Sequence, residues 1–236
     1  MKYTPRNTAA AGRESPRDHT APRRYVGRAM AGRDAAFYAY GMSATVAPVA
    51  EPKRKATYDD VLAAPEHQVA EILDGELFLS PRPAFPHALA SGKLLSAIDG
   101  AFGRDAGDPT RPGGWWILFE PELHLGSDVV VPDIAGWRRE RMPRLPNVPF
   151  SELAPDWLCE TLSPSTARID RTRKLAIYAR EGVRHVWLLD PLARMLEVLA
   201  LDHGRWVIAE THAGNDVVRA APFAAVELEL AGLWID

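Results

Sequence analysis

One short segment constrains this chain more than any other. Residues 157–162, Trp-Leu-Cys-Glu-Thr-Leu, read as a β-strand that is mostly apolar apart from one carboxylate. Strand alternation puts Leu158, Glu160 and Leu162 on one face and Cys159 and Thr161 on the other. A carboxylate sharing a face with two leucines is costly unless it is paired, protonated or bound to metal. A second carboxylate is marked in another way. Asp133 follows the run Asp128-Val129-Val130-Val131 and then Pro132. Proline has no N–H to give a ladder, so the next side chain projects from the sheet's edge. Two such carboxylates from adjacent strands suit a hard divalent cation such as Mg²⁺, which prefers oxygen and takes only one or two protein carboxylates. A salt bridge to a nearby arginine would satisfy them as well.

The rest of the pattern supplies a scaffold. Thr57 with Asp59 and Asp60 resembles a helix start. Residues 69–79 carry a hairpin signature around Asp74-Gly75, a pair able to take the positive φ values of a tight turn. Residues 86–103 have helical i, i+3/i+4 apolar spacing. Short β-rich runs follow at 115–119, 122–125 and 128–131. A helix is expected over 166–181, capped by Ser165 or Thr166 and stopped by Gly182. Residues 183–189 read as an apolar strand from a sheet's centre. Residues 196–201 and 205–210 form a hairpin around Asp202-His203-Gly204, and 226–235 alternate like a final strand. Helices and strands interleave, so the expected class is α/β or α+β, with one mixed sheet flanked by helices, an N-terminal hairpin and C-terminal strands.

Composition limits the alternatives. With 47% hydrophobic and 25% charged residues among 236, the chain is an ordinary globular one. Its single cysteine, Cys159, excludes an internal disulfide or a cysteine-built zinc site. It reads as a buried structural thiol, and the lack of disulfides fits a reducing compartment. No apolar run is long enough to span a bilayer and the N-terminus lacks a secretory signal, so a cytoplasmic protein with no membrane partner is expected. Charge is uneven. Residues 1–55 hold 11 Lys and Arg against 4 Asp and Glu, and 56–236 hold 17 against 27. The first stretch, rich in Ala, Arg, Pro and Gly, reads as a disordered basic extension or as sequence upstream of a true start at Met42. The globular part, 56–236, is acidic, which disfavours tight non-specific binding to phosphate backbones.

Several motifs converge on one family. Val131-Pro132-Asp133-Ile134-Ala135-Gly136-Trp137, the run from Pro155 through Glu160-Thr161-Leu162-Ser163-Pro164-Ser165-Thr166, and then Asp170, Lys174, Tyr178 and Gly182-Val183 resemble the Uma-two family. That family groups restriction endonuclease-like proteins of the PD-(D/E)XK nuclease superfamily. The resemblance continues through 187–191 and upstream through 71–76, Ser80-Pro81 and His87, covering roughly 55–236. It implies a restriction-endonuclease-like fold, with Asp133 and Glu160 as ligands to Mg²⁺ or Mn²⁺ and DNA as substrate. The superfamily pattern usually has a lysine two residues after the second acid; here that position is Leu162. The resembling family places it on the next helix, which matches Lys174, so the implied catalytic set is Asp133, Glu160 and Lys174.

Other candidates have two readings each. Lys174 lies four residues after Asp170, as a surface ion pair would. His87 is a substrate or proton-transfer group, or a capping residue. Tyr178 reads as packing with a hydrogen-bonding hydroxyl rather than as a catalyst. Glu120 and Glu122 could add a ligand, but 122–125 alternates like a solvent-facing strand. Arg138, Arg139, Arg141 and Arg144, with Arg168, Arg171, Arg173 and Lys174, are expected to make a basic rim or ordinary solvated surface. No His-Glu-x-x-His, phosphate-binding loop or nucleophile elbow is present, and a two-carboxylate glycosidase lacks its aromatic sugar platform. The expected function is a metal-dependent endonuclease, plausibly a homodimer; the rival is a binding or assembly protein that keeps the nuclease fold without its chemistry.

Overall fold

The computed structural model describes residues 54–104 and 112–235; most of the basic extension, including Met42, lies outside them. Along the chain, α1 (Tyr58–Leu62) leads into β1 (Gln68–Leu73), β2 (Glu76–Pro81) and the long α2 (Phe85–Phe102). Asp74 and Gly75 close the β1–β2 hairpin with φ of 53° and 80°, the conformation expected of that dipeptide. Next come β3 (Trp115–Phe119), β4 (Glu122–Leu125), β5 (Asp128–Val130), β6 (Ile134–Arg138), β7 (Phe150–Ser151) and β8 (Trp157–Thr161). The expected helix is three pieces in sequence: α3 (Ala167–Ile169), a π-helical turn (Asp170–Lys174) and α4 (Leu175–Arg180). Thr166 sits at its N-cap, but the capping oxygen is Ser163 Oγ, which accepts the Thr166 N–H at 3.3 Å. Gly182, at φ 74°, turns the chain out of it. β9 (His185–Asp190), β10 (Met195–Asp202) and β11 (Arg205–Ala213) form an antiparallel run, followed by the short pair β12 (Val217–Val218) and β13 (Leu228–Glu229).

The strands do not form the one mixed sheet expected from their sequence. They divide into a five-stranded sheet, order β2-β1-β5-β4-β7, and a six-stranded sheet, order β11-β10-β9-β8-β6-β3. The division has a local cause. Two strand paths pass from one sheet to the other, and each does so at a proline. Between β3 and β4 the chain bends at Glu120-Pro121, with Glu120 at φ 44°. Between β5 and β6 it bends at Val131-Pro132-Asp133. The missing proline N–H interrupts each ladder, and Glu120 N–H bridges the two bends by donating to Asp133 O at 2.9 Å.

The six-stranded sheet is covered on both faces. Trp157 and Cys159 of β8 face α2 and the C-terminal segment, in a cluster with Leu94, Ile98, Phe102, Trp187 and Phe223. Leu158 and Leu162 face the other way, packing with Leu73, Leu123 and Val130 of the five-stranded sheet and with Leu175, Ile177 and Tyr178. The alternation expected for 157–162 is thus observed, with Cys159 fully buried. At the C-terminus the expected strand over 226–235 shortens to Leu228–Glu229. It gives way to a 3-10 turn (Leu230–Leu233) because Leu230, Leu233 and Trp234 all bury into one cluster, as i, i+3 spacing allows and strand alternation does not. Among the described residues no helix is long and apolar enough to cross a membrane.

Candidate functional site

The bend at Pro132 delivers Asp133 directly beside the end of β8. Asp133 Oδ2 accepts the Thr161 N–H at 2.7 Å, and its Oδ1 lies 3.3 Å from His87 Nε2 in the first turn of α2. His87 is anchored through Ser91, whose Oγ donates to the His87 carbonyl at 3.0 Å and lies 2.9 Å from Thr161 Oγ1. Glu160, 2% exposed, points from β8 to the face opposite α2. Its Oε1 accepts the Tyr178 hydroxyl at 2.6 Å and lies 2.9 Å from Lys174 Nζ. Lys174 is itself 3% exposed. Besides Glu160, its Nζ meets Glu71 Oε1 at 3.1 Å, donates to Val131 O at 3.3 Å, and is 3.8 Å from Asp170. The π-helical turn presents both Asp170 and Lys174 inward, as such turns often do at functional sites.

These side chains line one cavity of about 300 Å³, shared by Glu71, His87, Glu120, Asp133, Glu160, Asp170 and Lys174. Five carboxylates meet one ammonium in it. The electrostatic consequences follow from burial and from this excess. Burial pushes the Glu160 carboxyl well above its ordinary range; Lys174 opposes this, while Asp170, Asp133 and Glu71 add to it. Asp170 is raised to about 6, again chiefly by burial. Burial also raises Glu120, with Asp133 contributing. For Lys174 burial favours the neutral amine, but Glu160, Glu71 and Asp170 outweigh it and keep the ammonium charged. His87 loses basicity to burial and regains more from Asp133.

A divalent cation fits this donor set. The oxygens are hard, the negative charge is in excess, and Glu160 Oε2 and Glu71 Oε2 have no protein partner in the bonds above. Among the described residues no three His, Cys, Asp or Glu side chains converge as a complete protein coordination shell. That leaves the kind of site in which one or two carboxylates hold the ion and water and substrate supply the rest.

The four principal sequence candidates, Asp133, Glu160, Lys174 and His87, therefore share the cavity, and Tyr178 lies buried behind Glu160. Other expectations are corrected. The Lys174–Asp170 pair is buried rather than a surface pair. Glu120 lines the cavity, because its bend turns it there, whereas Glu122 is taken by Tyr58 Oη at 2.8 Å and His124 at 2.7 Å. Of the expected basic rim only Lys174 lines the cavity; none of its arginines does. Arg138 and Arg139 stack on Trp115 and Trp116 at 4.6 and 3.6 Å, Arg141 pairs with Asp156 at 3.0 Å, and Arg171 and Arg173 pair with Glu197 and Glu76. The arginine that does line it is Arg82. Glu71 carries a signal overlooked in the sequence: it shares a strand face with Val69 and Leu73, the same costly placement that marks Glu160.

Comparison with known proteins agrees with this fold. A family model, Uma2, described as "Putative restriction endonuclease", matches residues 56–231. No curated protein matches the chain. A solved structure described as "a putative nuclease belonging to DUF820 from Anabaena variabilis ATCC 29413" superposes with a TM-score of 0.60 at 24% identity, covering 75% of this chain and 97% of that one. Its likeness shows a shared fold.

Proposed function

This chain belongs to the Uma2 family, and from that premise we propose that it is a metal-dependent endonuclease that hydrolyses DNA phosphodiester bonds. The observation that carries this reading is the gathering of five carboxylates in a single cavity, three of them around one lysine. Asp133 and Glu160 would hold Mg²⁺ or Mn²⁺; burial, with Asp170, Asp133 and Glu71 nearby, raises the Glu160 carboxyl despite Lys174 2.9 Å away, which leaves negative charge in excess for a cation to offset. Such an ion, when bound, would supply Lewis acidity toward a phosphoryl oxygen and a more acidic bound water. The protein's own groups do the rest. Lys174 Nζ holds a fixed positive charge where negative charge grows on the phosphate. Glu71 and Glu160 aim it, and Tyr178 fixes the Glu160 carboxylate by donating to Oε1. His87 Nε2 holds a proton beside Asp133 and can pass one to a leaving oxygen.

A second reading, a binding or assembly protein with a silent site, draws support from the acidic body and from the carboxylates that already enclose Lys174. Plasmid cleavage with Mg²⁺ or Mn²⁺ separates the two. The expected result is nicking or cutting by the wild type and none by Glu160→Ala; equal cutting by both would rule out this cavity as the nuclease centre. Calorimetric titration with Mn²⁺ adds a readout independent of turnover, with binding expected for the wild type and lost in Asp133→Asn.

A further inference from the structure

Phe85 is the most exposed large apolar side chain of the described residues, at 88%. It stands where α2 begins, one residue after Ala84 and two before His87, both of which line the catalytic cavity. The backbone leading to it, Pro81-Arg82-Pro83-Ala84-Phe85-Pro86, carries a proline at every second or third position. Each fixes its own φ, which stiffens the backbone that carries the exposed ring. Residues three and seven further along the helix, Ala88 and Gly92, share its face and are exposed. A Cβ built on Gly92 would meet nothing within 4 Å. A flat ring thus stands beside smooth, open surface at the cavity's lip.

Among the described residues, the Lys and Arg side chains lining the cavity are Lys174, buried, and Arg82, exposed. Arg82 is 58% exposed, 3.7 Å from Glu120 through Nη1, with Nη2 donating to Glu66 O at 3.2 Å. Residues 56–236 hold 27 acidic against 17 basic residues, a balance that disfavours tracking a duplex by charge. Affinity must then come from a contact that does not rely on many phosphates. Stacking on an aromatic ring is such a contact, and it needs an unpaired base, because bases inside a duplex have their faces covered.

Resting on the nuclease reading, we propose that Phe85 and Arg82 form a clamp for an unpaired nucleotide next to the scissile phosphate. Phe85 stacks on the base and Arg82 holds the adjoining phosphate. The substrate class is single-stranded or locally unpaired DNA in preference to intact duplex.

The test is fluorescence anisotropy of the full chain with EDTA present, so that no cleavage occurs. The probes are a labelled thymidine oligonucleotide of about 15 residues and a duplex of the same length, near the upper site size of single-strand binders. The wild type is expected to bind the single strand more tightly. Phe85→Ala should weaken that binding by roughly 10-fold or more and leave duplex binding unchanged, while Phe85→Trp preserves it. Arg82→Ala should also weaken it, with a shallower salt dependence. Equal binding of both probes by the wild type, or undiminished single-strand binding by Phe85→Ala, overturns the clamp. Unchanged thermal melting confirms that each variant is folded, as expected for such exposed positions. Plasmid cleavage is scored separately. A wild type that binds single strands through Phe85 but, with Mg²⁺ or Mn²⁺, cuts neither the plasmid nor the single-stranded oligonucleotide overturns the nuclease reading and leaves the clamp standing. A wild type that cuts while Phe85→Ala binds and cuts single strands normally overturns the clamp alone.

Discussion

Burial raises the Asp170 carboxyl to about 6 even though Lys174 stands 3.8 Å away. Its folded pKa lies above the ordinary carboxylate value, so its contribution to stability is complete at low pH and is lost as pH rises through 6. Asp170→Asn has no proton to lose. Between about pH 4 and pH 8 the wild type should therefore lose roughly 2–3 kcal/mol of stability relative to the variant. Urea unfolding of both proteins in metal-free buffer checks this; a stability difference that stays flat across that range would show that Asp170 is not under the strain its neighbours imply. The same residues show how far a sequence speaks. Asp133 and Glu160 were legible because a proline and two leucines flank them. Glu71 carried an equal signal that went unread. Arg82 carried none, because an arginine between prolines says nothing about which cavity it faces.

Single elements carry constraints that no single side chain reveals. Gly136, in the middle of β6, is one. It pairs with Ile117 of β3 and Trp157 of β8, and a Cβ there would come within 2.9 Å of Ile117 Cδ1, 3.2 Å of Trp157 and 3.3 Å of Trp115. Two aromatic rings on neighbouring strands leave little room to yield. Gly136→Ala should cost about 1–3 kcal/mol by displacing β6, the strand that carries Asp133 at its head. Thermal unfolding reads the loss, and an unchanged melting temperature would mean that the rings can shift freely. The lysine shows the opposite case. Leu162 occupies the usual position two residues after the acid, yet it is 3% exposed and packs with Leu158. A lysine reaches the cavity instead from the π-helical turn, as Lys174. The helix was expected from its periodicity, but a π turn inside it is invisible to that pattern, since its wider register differs by one residue from an ordinary α-helix.

On the scale of the whole molecule, charge and topology set what the cavity can bind. Residues 56–236 are acidic, and most of the arginines once expected at the site are occupied elsewhere by carboxylates and tryptophans. Few phosphates can be neutralised at once. The dependence of DNA affinity on salt should accordingly be shallow, with a logarithmic slope of roughly −1 to −3 where a basic duplex-tracking protein shows −6 or steeper. Binding isotherms at several salt concentrations measure it, and a steep slope would point to a phosphate-binding surface away from this cavity. The mixed α and β character and the order of elements were legible in the pattern of periods and turns. The splitting of the strands into two sheets was not, because it depends on two prolines, Pro121 and Pro132, acting at the same place in space though far apart in pattern.

That shared place has a mechanical consequence. Each of the two strand paths that bend at Glu120 and Asp133 belongs to one sheet before its proline and to the other after it, and a 2.9 Å hydrogen bond ties the bends together. Neither sheet can slide over the other without dragging this knot along. Asp133 is part of the knot. For this molecule, slippage between layers and the position of a cavity carboxylate are one coordinate.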